Sequence, residues 1–237
     1  MSKNISEMII LITAAASGIG SVMARELASK GATIIICDNN KKHLKEFSKK
    51  NPGIYAHETD ISNETSVKEL FQWIDNKFNG LNALINNAGI AGPISQLDKT
   101  DFNDWKNTLS VNLNGAFLCS KEAIPLLRIF GGGSIINIGS TSSLFGTPLR
   151  SAYSASKWGI SGLTKTWAME YGAENIRVNS ICPGSVNGER IEKVIKQEAK
   201  DRNLSEGDVK KAYLKQVSIQ SFIDPEEIVG MIDYLLS

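Results

Sequence analysis

The chain has few residues that could hold a metal or a disulfide framework. Its 237 residues include two histidines and three cysteines. Cys37, Cys119 and Cys182 lie far apart with no Cys-x-x-Cys pair, which suits reduced thiols in a cytoplasmic protein rather than a cystine scaffold. So thin a ligand set points to no metal. Charge of one sign is also lacking. Twenty-six basic and 25 acidic residues leave a net +1, with no long basic block, so nucleic acid is not an expected partner. The apolar run from Met8 to Ala16 is far short of the ~20 residues of a membrane span. It has no basic lead and reads as a strand, so neither a membrane partner nor a signal peptide is expected. No repeat or Pro/Gly-rich linker divides the chain, and residues 1–237 read as a single domain.

What is present is an alternation of short apolar runs and amphipathic stretches, in a chain 42% apolar and 22% charged. Met8–Ile12 reads as a strand, followed by Thr13-Ala-Ala-Ala-Ser17-Gly18-Ile19-Gly20 and a helical pattern at Val22, Met23, Leu27 and Ala28. A second strand, Thr33–Cys37, closes at Asp38. Strand, glycine-bearing turn, helix, strand and acid is the layout of a dinucleotide-binding βαβ unit. The turn would set its amides and the helix N-terminus against a pyrophosphate. Asp38 lies eighteen residues after Gly20, close to where a carboxylate takes ribose hydroxyls. A carboxylate there repels a 2′-phosphate, which favours NAD over NADP. Asp38 also suits a turn or helix cap.

Further strands are expected at 54–58, leading to Asp60-Ile61, and at 82–85, leading to Asn86-Asn87-Ala88-Gly89. Residues 101–130 read mostly as helix, with Asn112 in the interior, where asparagine is mildly unfavourable. A strand at 135–138 precedes Ser140, and a sixth at 176–181 precedes Cys182-Pro183-Gly184. Lysine- and glutamate-rich helical sequence fills 189–216. Asp224-Pro-Glu-Glu opens a last helix with a cap, a first-turn proline and two acids. The pattern is α/β, a doubly wound parallel sheet of the Rossmann type.

Within it, Tyr153-Ser-Ala-Ser-Lys157 places a phenol and an ammonium at i and i+4, on one face of a helix. A cation beside a phenol favours phenolate and lowers the tyrosine pKa from its reference near ~10, giving an acid/base usable near neutral pH. Ser140 would sit at the carboxyl end of a buried strand, where open α/β sheets bind ligands.

Together, Thr13 to Gly20, Asp60-Ile61, Asn86 to Gly89, Asn112, Ser140, Tyr153 with Lys157, and Cys182 to Gly184 resemble the short-chain dehydrogenase/reductase family along nearly the whole chain. The resemblance implies an NAD(P)-dependent oxidoreductase. In it Tyr153 would be the acid/base and Ser140 would hydrogen-bond the substrate oxygen. Lys157 would bind the nicotinamide ribose and lower the tyrosine pKa, and Asn112 would complete a proton relay through its backbone carbonyl and a water. Thr13, Ser17, Gly18, Ile19, Gly20, Asp38, Asp60, Ile61 and Asn87 would line the cofactor site, and Val186 would lie against the nicotinamide. A homo-oligomer, dimer or tetramer, is implied as well.

Two departures stand out. The family's first glycine is Ala14 here. If that position needs a positive φ, the methyl costs on the order of 1 kcal/mol. The sequence also ends at Tyr234-Leu-Leu-Ser237, where relatives usually continue for about 15–20 residues through a final strand. Arg150 and Arg190 stand where the family builds its substrate pocket, and arginine forks suit a small anionic hydroxy or oxo substrate. An impaired NAD-binding or scaffold relative is the rival from another class, and an NADP-dependent ketoreductase is the rival among enzymes.

Overall fold

Residues 4–237 are described by the computed structural model. Six strands form one sheet: β1 (Ile9–Thr13), β2 (Thr33–Asp38), β3 (Tyr55–Glu58), β4 (Ala83–Asn86), β5 (Gly133–Ile138) and β6 (Ile176–Ile181). All pairings are parallel, in the order β3-β2-β1-β4-β5-β6. Helices α1 (Gly18–Ser29), α2 (Lys41–Lys50) and α3 (Glu64–Phe78) connect the first four strands. Then come α4 (Phe102–Leu109) and α5 (Gly115–Ile129) before β5, and α6 (Ser151–Tyr171) before β6. After β6 come α7 (Glu189–Arg202), α8 (Glu206–Lys215) and α9 (Pro225–Leu236).

The period-two alternation of a strand sorts its side chains onto two faces. Ile10, Ile12, Ile34, Ile36, Ile85 and Ile136 pack on Met23 and Leu27 of α1 and on Ile228 and Ile232 of α9. Their neighbours Leu11, Ile35, Leu84 and Ile135 face Leu70 and Ile74 of α3 and Leu127 of α5. Burial on both faces is what near-continuous apolar strands require. The strand order reverses between β1 and β4, so their carboxyl ends flank a crevice open to a ligand.

Two expected helices are interrupted. Residues 101–130 are not one helix: a π-helical turn, Ser110–Asn114, separates α4 from α5. It accompanies an Asn112 side chain committed to backbone outside its own helix, and such single π turns commonly mark functional positions. Likewise 189–216 splits into α7 and α8. Asn203 turns left-handed (φ 52°) to end α7, and the Ser205 side chain caps α8 by accepting from the Asp208 amide.

The turn after β1 fixes the crevice. Ala14 has φ +50°. The Asn87 side-chain amide donates to the carbonyls of Thr13 (2.9 Å) and Ala14 (3.0 Å), while Thr13 Oγ1 accepts from the Asn87 and Ala88 amides. A Cβ at Gly20 would stand 2.6 Å from Asn87 Nδ2 and 2.7 Å from the Ala14 oxygen, so only glycine fits there. The left-handed region is where an alanine methyl is penalised and a glycine is not. Ala14→Gly is therefore expected to stabilise the protein by about 1 kcal/mol. In a chain of this size that is a rise in Tm of about 2–4 °C in a thermal melt.

Candidate active site

Tyr153 and Lys157 lie one turn apart at the start of α6, and the Lys157 ammonium stands 5.8 Å from the centre of the tyrosine ring. Lys157 is buried, and its Nζ donates to the carbonyl of Ile138 at the end of β5 (2.7 Å). Burial pushes the Lys157 pKa down; Tyr153 opposes this, Arg190 adds to it and Cys182 opposes it, and the net shift is downward. For Tyr153, burial alone would raise the pKa. The charges of Lys157 and Arg190, a hydrogen bond with Ser140 and the charge of Arg150 outweigh it, and the tyrosine titrates below its ordinary value.

Ser140 follows β5 in extended conformation and caps a short 3-10 turn. Its Oγ accepts from the Ser142 amide (3.1 Å), and its hydroxyl makes the hydrogen bond that lowers the Tyr153 pKa. Asn112, 1% exposed, works through its side chain. Oδ1 accepts from the Ile90 amide (2.7 Å), and Nδ2 donates to the Ile90 carbonyl (3.0 Å) and to Ser156 Oγ (3.1 Å). Ser156 in turn donates to the Tyr153 carbonyl (2.7 Å), so Asn112 is tied to the helix that carries Tyr153 and Lys157. Sequence reasoning missed Ser156, although it sits inside the Tyr153-to-Lys157 stretch on the same helix face. Gly89 closes the group: a Cβ there would stand 3.3 Å from Asn112 Oδ1 and 3.7 Å from Lys157 Nζ.

The residues expected to line a cofactor gather in the crevice and along its β2–β3 side. Ser17 precedes α1, is exposed and makes no cap bond; Gly18 follows with φ +55°, and Ile19 is partly buried. That arrangement offers a helix N-terminus and a free hydroxyl to a phosphate. Asp38 accepts from the Ala16 amide (3.3 Å) and the Asn40 amide (3.0 Å). It is thus a turn residue and a brace for the first loop, with carboxylate lone pairs still to spare. Asp60 accepts from the amide and hydroxyl of Ser62. Ile61 is buried against α5, where a Cβ on Gly115 would collide with its Cδ1 at 2.3 Å. A cleft of about 410 Å³ lined by Asn39, Glu58, Thr59, Asp60 and Ser66 opens beside the ends of β2 and β3. Val186 stands apart from these, pairing in parallel with Ile223 ahead of α9. A dinucleotide fits this set: a glycine-lined anion cradle, an acid at the end of β2 and a cleft beyond it.

A profile described as short chain dehydrogenase matches residues 8–199. The chain belongs to the short-chain dehydrogenase family. It is 34% identical over 232 residues to the D-beta-hydroxybutyrate dehydrogenase of Rhizobium meliloti (strain 1021), covering 95% of this chain and 90% of the relative. Among solved structures, an NAD+-bound xylitol dehydrogenase superposes with a TM-score of 0.92 at 27% identity, over 99% of this chain and 94% of that one. An actinorhodin polyketide ketoreductase variant with NADPH gives 0.92 at 26% identity, over 100% and 92%. The chain is accordingly an NAD(P)-dependent oxidoreductase acting on hydroxy or keto substrates. Among the described residues no cluster of three or more His, Cys, Asp or Glu could hold a metal ion, and no helix is long and apolar enough to cross a membrane.

The Asn112 clamp has a measurable energetic consequence. Asn112→Ala strips both polar groups of Ile90 of their partner and is expected to cost about 2 kcal/mol in urea unfolding, and Ser156→Ala about 1 kcal/mol. Because the two share a bond, the double variant is expected to lose less than the sum.

Proposed function

We propose that the protein is an NAD-dependent dehydrogenase of a small secondary alcohol that carries a carboxylate. The observation that carries this reading is the convergence of Tyr153, Lys157 and Ser140 at the carboxyl end of β5, beside the β1–β4 crevice. A bound dinucleotide would supply the hydride acceptor. Tyr153, as phenolate, takes the hydroxyl proton of the alcohol while the carbinol hydride leaves, and returns it in the reverse direction. Ser140, hydrogen-bonded to Tyr153 in this structure, would turn its hydroxyl to the same oxygen and steady the developing charge. Lys157 keeps Tyr153 ionisable and would reach the nicotinamide ribose. The side chain of Asn112 is committed to Ile90 and Ser156, and its backbone carbonyl would take the relay role that the family resemblance implies. Thr13, Ser17, Gly18, Ile19, Gly20, Asn87, Asp60, Ile61 and Val186 would hold the dinucleotide.

Asp38 supports NAD over NADP. Two backbone amides orient its carboxylate at the end of β2, where it would accept from ribose hydroxyls and repel a 2′-phosphate. Of the two nearby cations that could soften this, Lys41 is paired with Glu58 (3.2 Å) and Lys42 is exposed at the start of α2. Arg150 supports an anionic substrate. It is 8% exposed, its Nε is buried with no partner, and its ring of charge faces Tyr153. A guanidinium edge left unpaired at a reaction centre fits a carboxylate. The Rhizobium relative is named for D-beta-hydroxybutyrate, a hydroxy acid of this kind. Free buried Cys37 and Cys119 suit the reducing cytoplasm, and exposed Phe117, Trp158 and Met169 are surface that a homo-oligomer would cover.

Calorimetric titration is expected to give tighter binding of NAD+ than of NADP+. Asp38→Ala should weaken NAD+ about tenfold, the loss of one charge-assisted hydrogen bond. Equal affinity of the wild type for both cofactors would overturn the NAD assignment. With D-3-hydroxybutyrate as substrate, Tyr153→Phe is expected to lower kcat about 10²- to 10⁴-fold while NAD+ still binds. Wild-type-like turnover by that variant would sink the mechanism.

A further inference from the structure

Tyr153 carries a second cation on its ring face, and the chain is strained to put it there. Thr147-Pro148-Leu149-Arg150 forms a turn closed by the Arg150 amide on the Thr147 carbonyl (3.3 Å), and Leu149 occupies its third position with φ +63°. Proline second and positive φ third is the type II pattern, whose third position ordinarily belongs to glycine. A leucine there is a backbone outlier that only its surroundings can hold, and such outliers cluster at functional sites. The Leu149 carbonyl is held by the Ser95 amide (3.0 Å). From this turn Arg150 passes over the tyrosine, its guanidinium carbon 4.9 Å from the ring centre, and Nη2 anchors on the Ala91 carbonyl (3.0 Å).

We infer that Arg150, positioned by the left-handed Leu149, acts on Tyr153 itself: in the enzyme without substrate it holds the tyrosine ring in place and favours its phenolate. The inference rests on Tyr153 being the acid/base, and it adds to the anion-binding use of the Arg150 edge. The guanidinium is planar, permanently charged and suited to stacking on an aromatic face, which an ammonium in its place is not. The groups facing Tyr153 come from four elements: Lys157 on α6, Ser140 after β5, Arg190 on α7, and Arg150 itself. From α8, Tyr213 faces Arg150, with its hydroxyl given to Glu198 (2.9 Å). Lys157, Arg190 and Arg150 therefore act in one direction on the phenol; the charge of Arg150 is the smallest of the three effects, and its guanidinium carbon lies over the ring, nearer its centre than the Lys157 ammonium.

The test is the ultraviolet titration of tyrosinate in the free enzyme, which needs neither cofactor nor substrate; Tyr153→Phe identifies the low step. Arg150→Met is expected to move that step up by about half a unit to one unit. Arg150→Lys, which keeps charge but loses the stack and the fork, should move it up by less. Leu149→Gly relieves the turn, so the Tm should rise while the step moves upward as the arginine loosens. A step unmoved in Arg150→Met, with only the KM for D-3-hydroxybutyrate raised, would reduce Arg150 to a substrate clamp and overturn the inference. A step unmoved in Leu149→Gly would overturn the positioning role. If Arg150→Met fails to fold, the Arg150→Lys and Leu149→Gly arms still decide. Failure of the dehydrogenase reading itself would be seen separately, as unchanged turnover in Tyr153→Phe.

Discussion

One buried ammonium organises the candidate site of this molecule. Lys157 is 4% exposed, and a charge taken that far out of water is tolerated only with partners. The Ile138 carbonyl is one of them, since β5 ends where the first turns of α6 pass over it. The other is the phenol one turn back. The coupling runs both ways: ionised Tyr153 makes the ammonium cheaper to bury, and the ammonium makes the phenolate cheaper to form. Lys157 and Tyr153 are best treated as a pair that titrates together.

Holding that pair requires α6 to be seated firmly on the sheet, and the core achieves this with hydrogen bonds as well as packing. Asn86 on β4 donates to Ser120 on α5 and to Asn137 on β5. Asn137 donates to Thr164 on α6, which donates to the carbonyl of Ile160. These groups lie in an otherwise apolar layer, where an unmade bond is costly and a made one selects a single arrangement. The Asn112–Ser156 link does the same at the other end of the helix. Between them the two networks fix α6 against the sheet near both Tyr153 and Thr164.

The sheet, its six strands and the Tyr153–Lys157 face were legible because they follow local rules: period-two burial, turn residues, and i,i+4 spacing. The Ala14 strain was legible too, since a glycine slot filled by alanine shows in the sequence. Other features are decided by contacts distant in the chain. The π turn at 110–114 accompanies Asn112 reaching Ile90, twenty-two residues upstream. The split between α7 and α8 turns on Asn203 going left-handed inside a run whose composition reads as uniformly helical. Arg150 was expected as a substrate contact, and its place over the tyrosine ring was not legible. That placement depends on a leucine backbone angle and on the Ala91 carbonyl, neither of which leaves a mark in residue type.

The segment from Asn87 to Ser95 explains how the fold tolerates two non-glycine residues in left-handed turns so near its site. Asn87 holds the Ala14 carbonyl, and the Ser95 amide holds that of Leu149. Between those two points Gly89 leaves room for Lys157 and Asn112, Ile90 takes the Asn112 side chain, and the Ala91 carbonyl takes Arg150. Gly92, with φ +67°, sits where a Cβ would press on Thr108 of α4 at 2.7 Å. A stretch with little regular structure thus contacts the turn after β1, the buried lysine, the π turn and the arginine in sequence. Strain is kept at an active site only when the surroundings over-determine it. Here one brace over-determines both strained turns, so the turn after β1 and the turn before α6 share a common mechanical support.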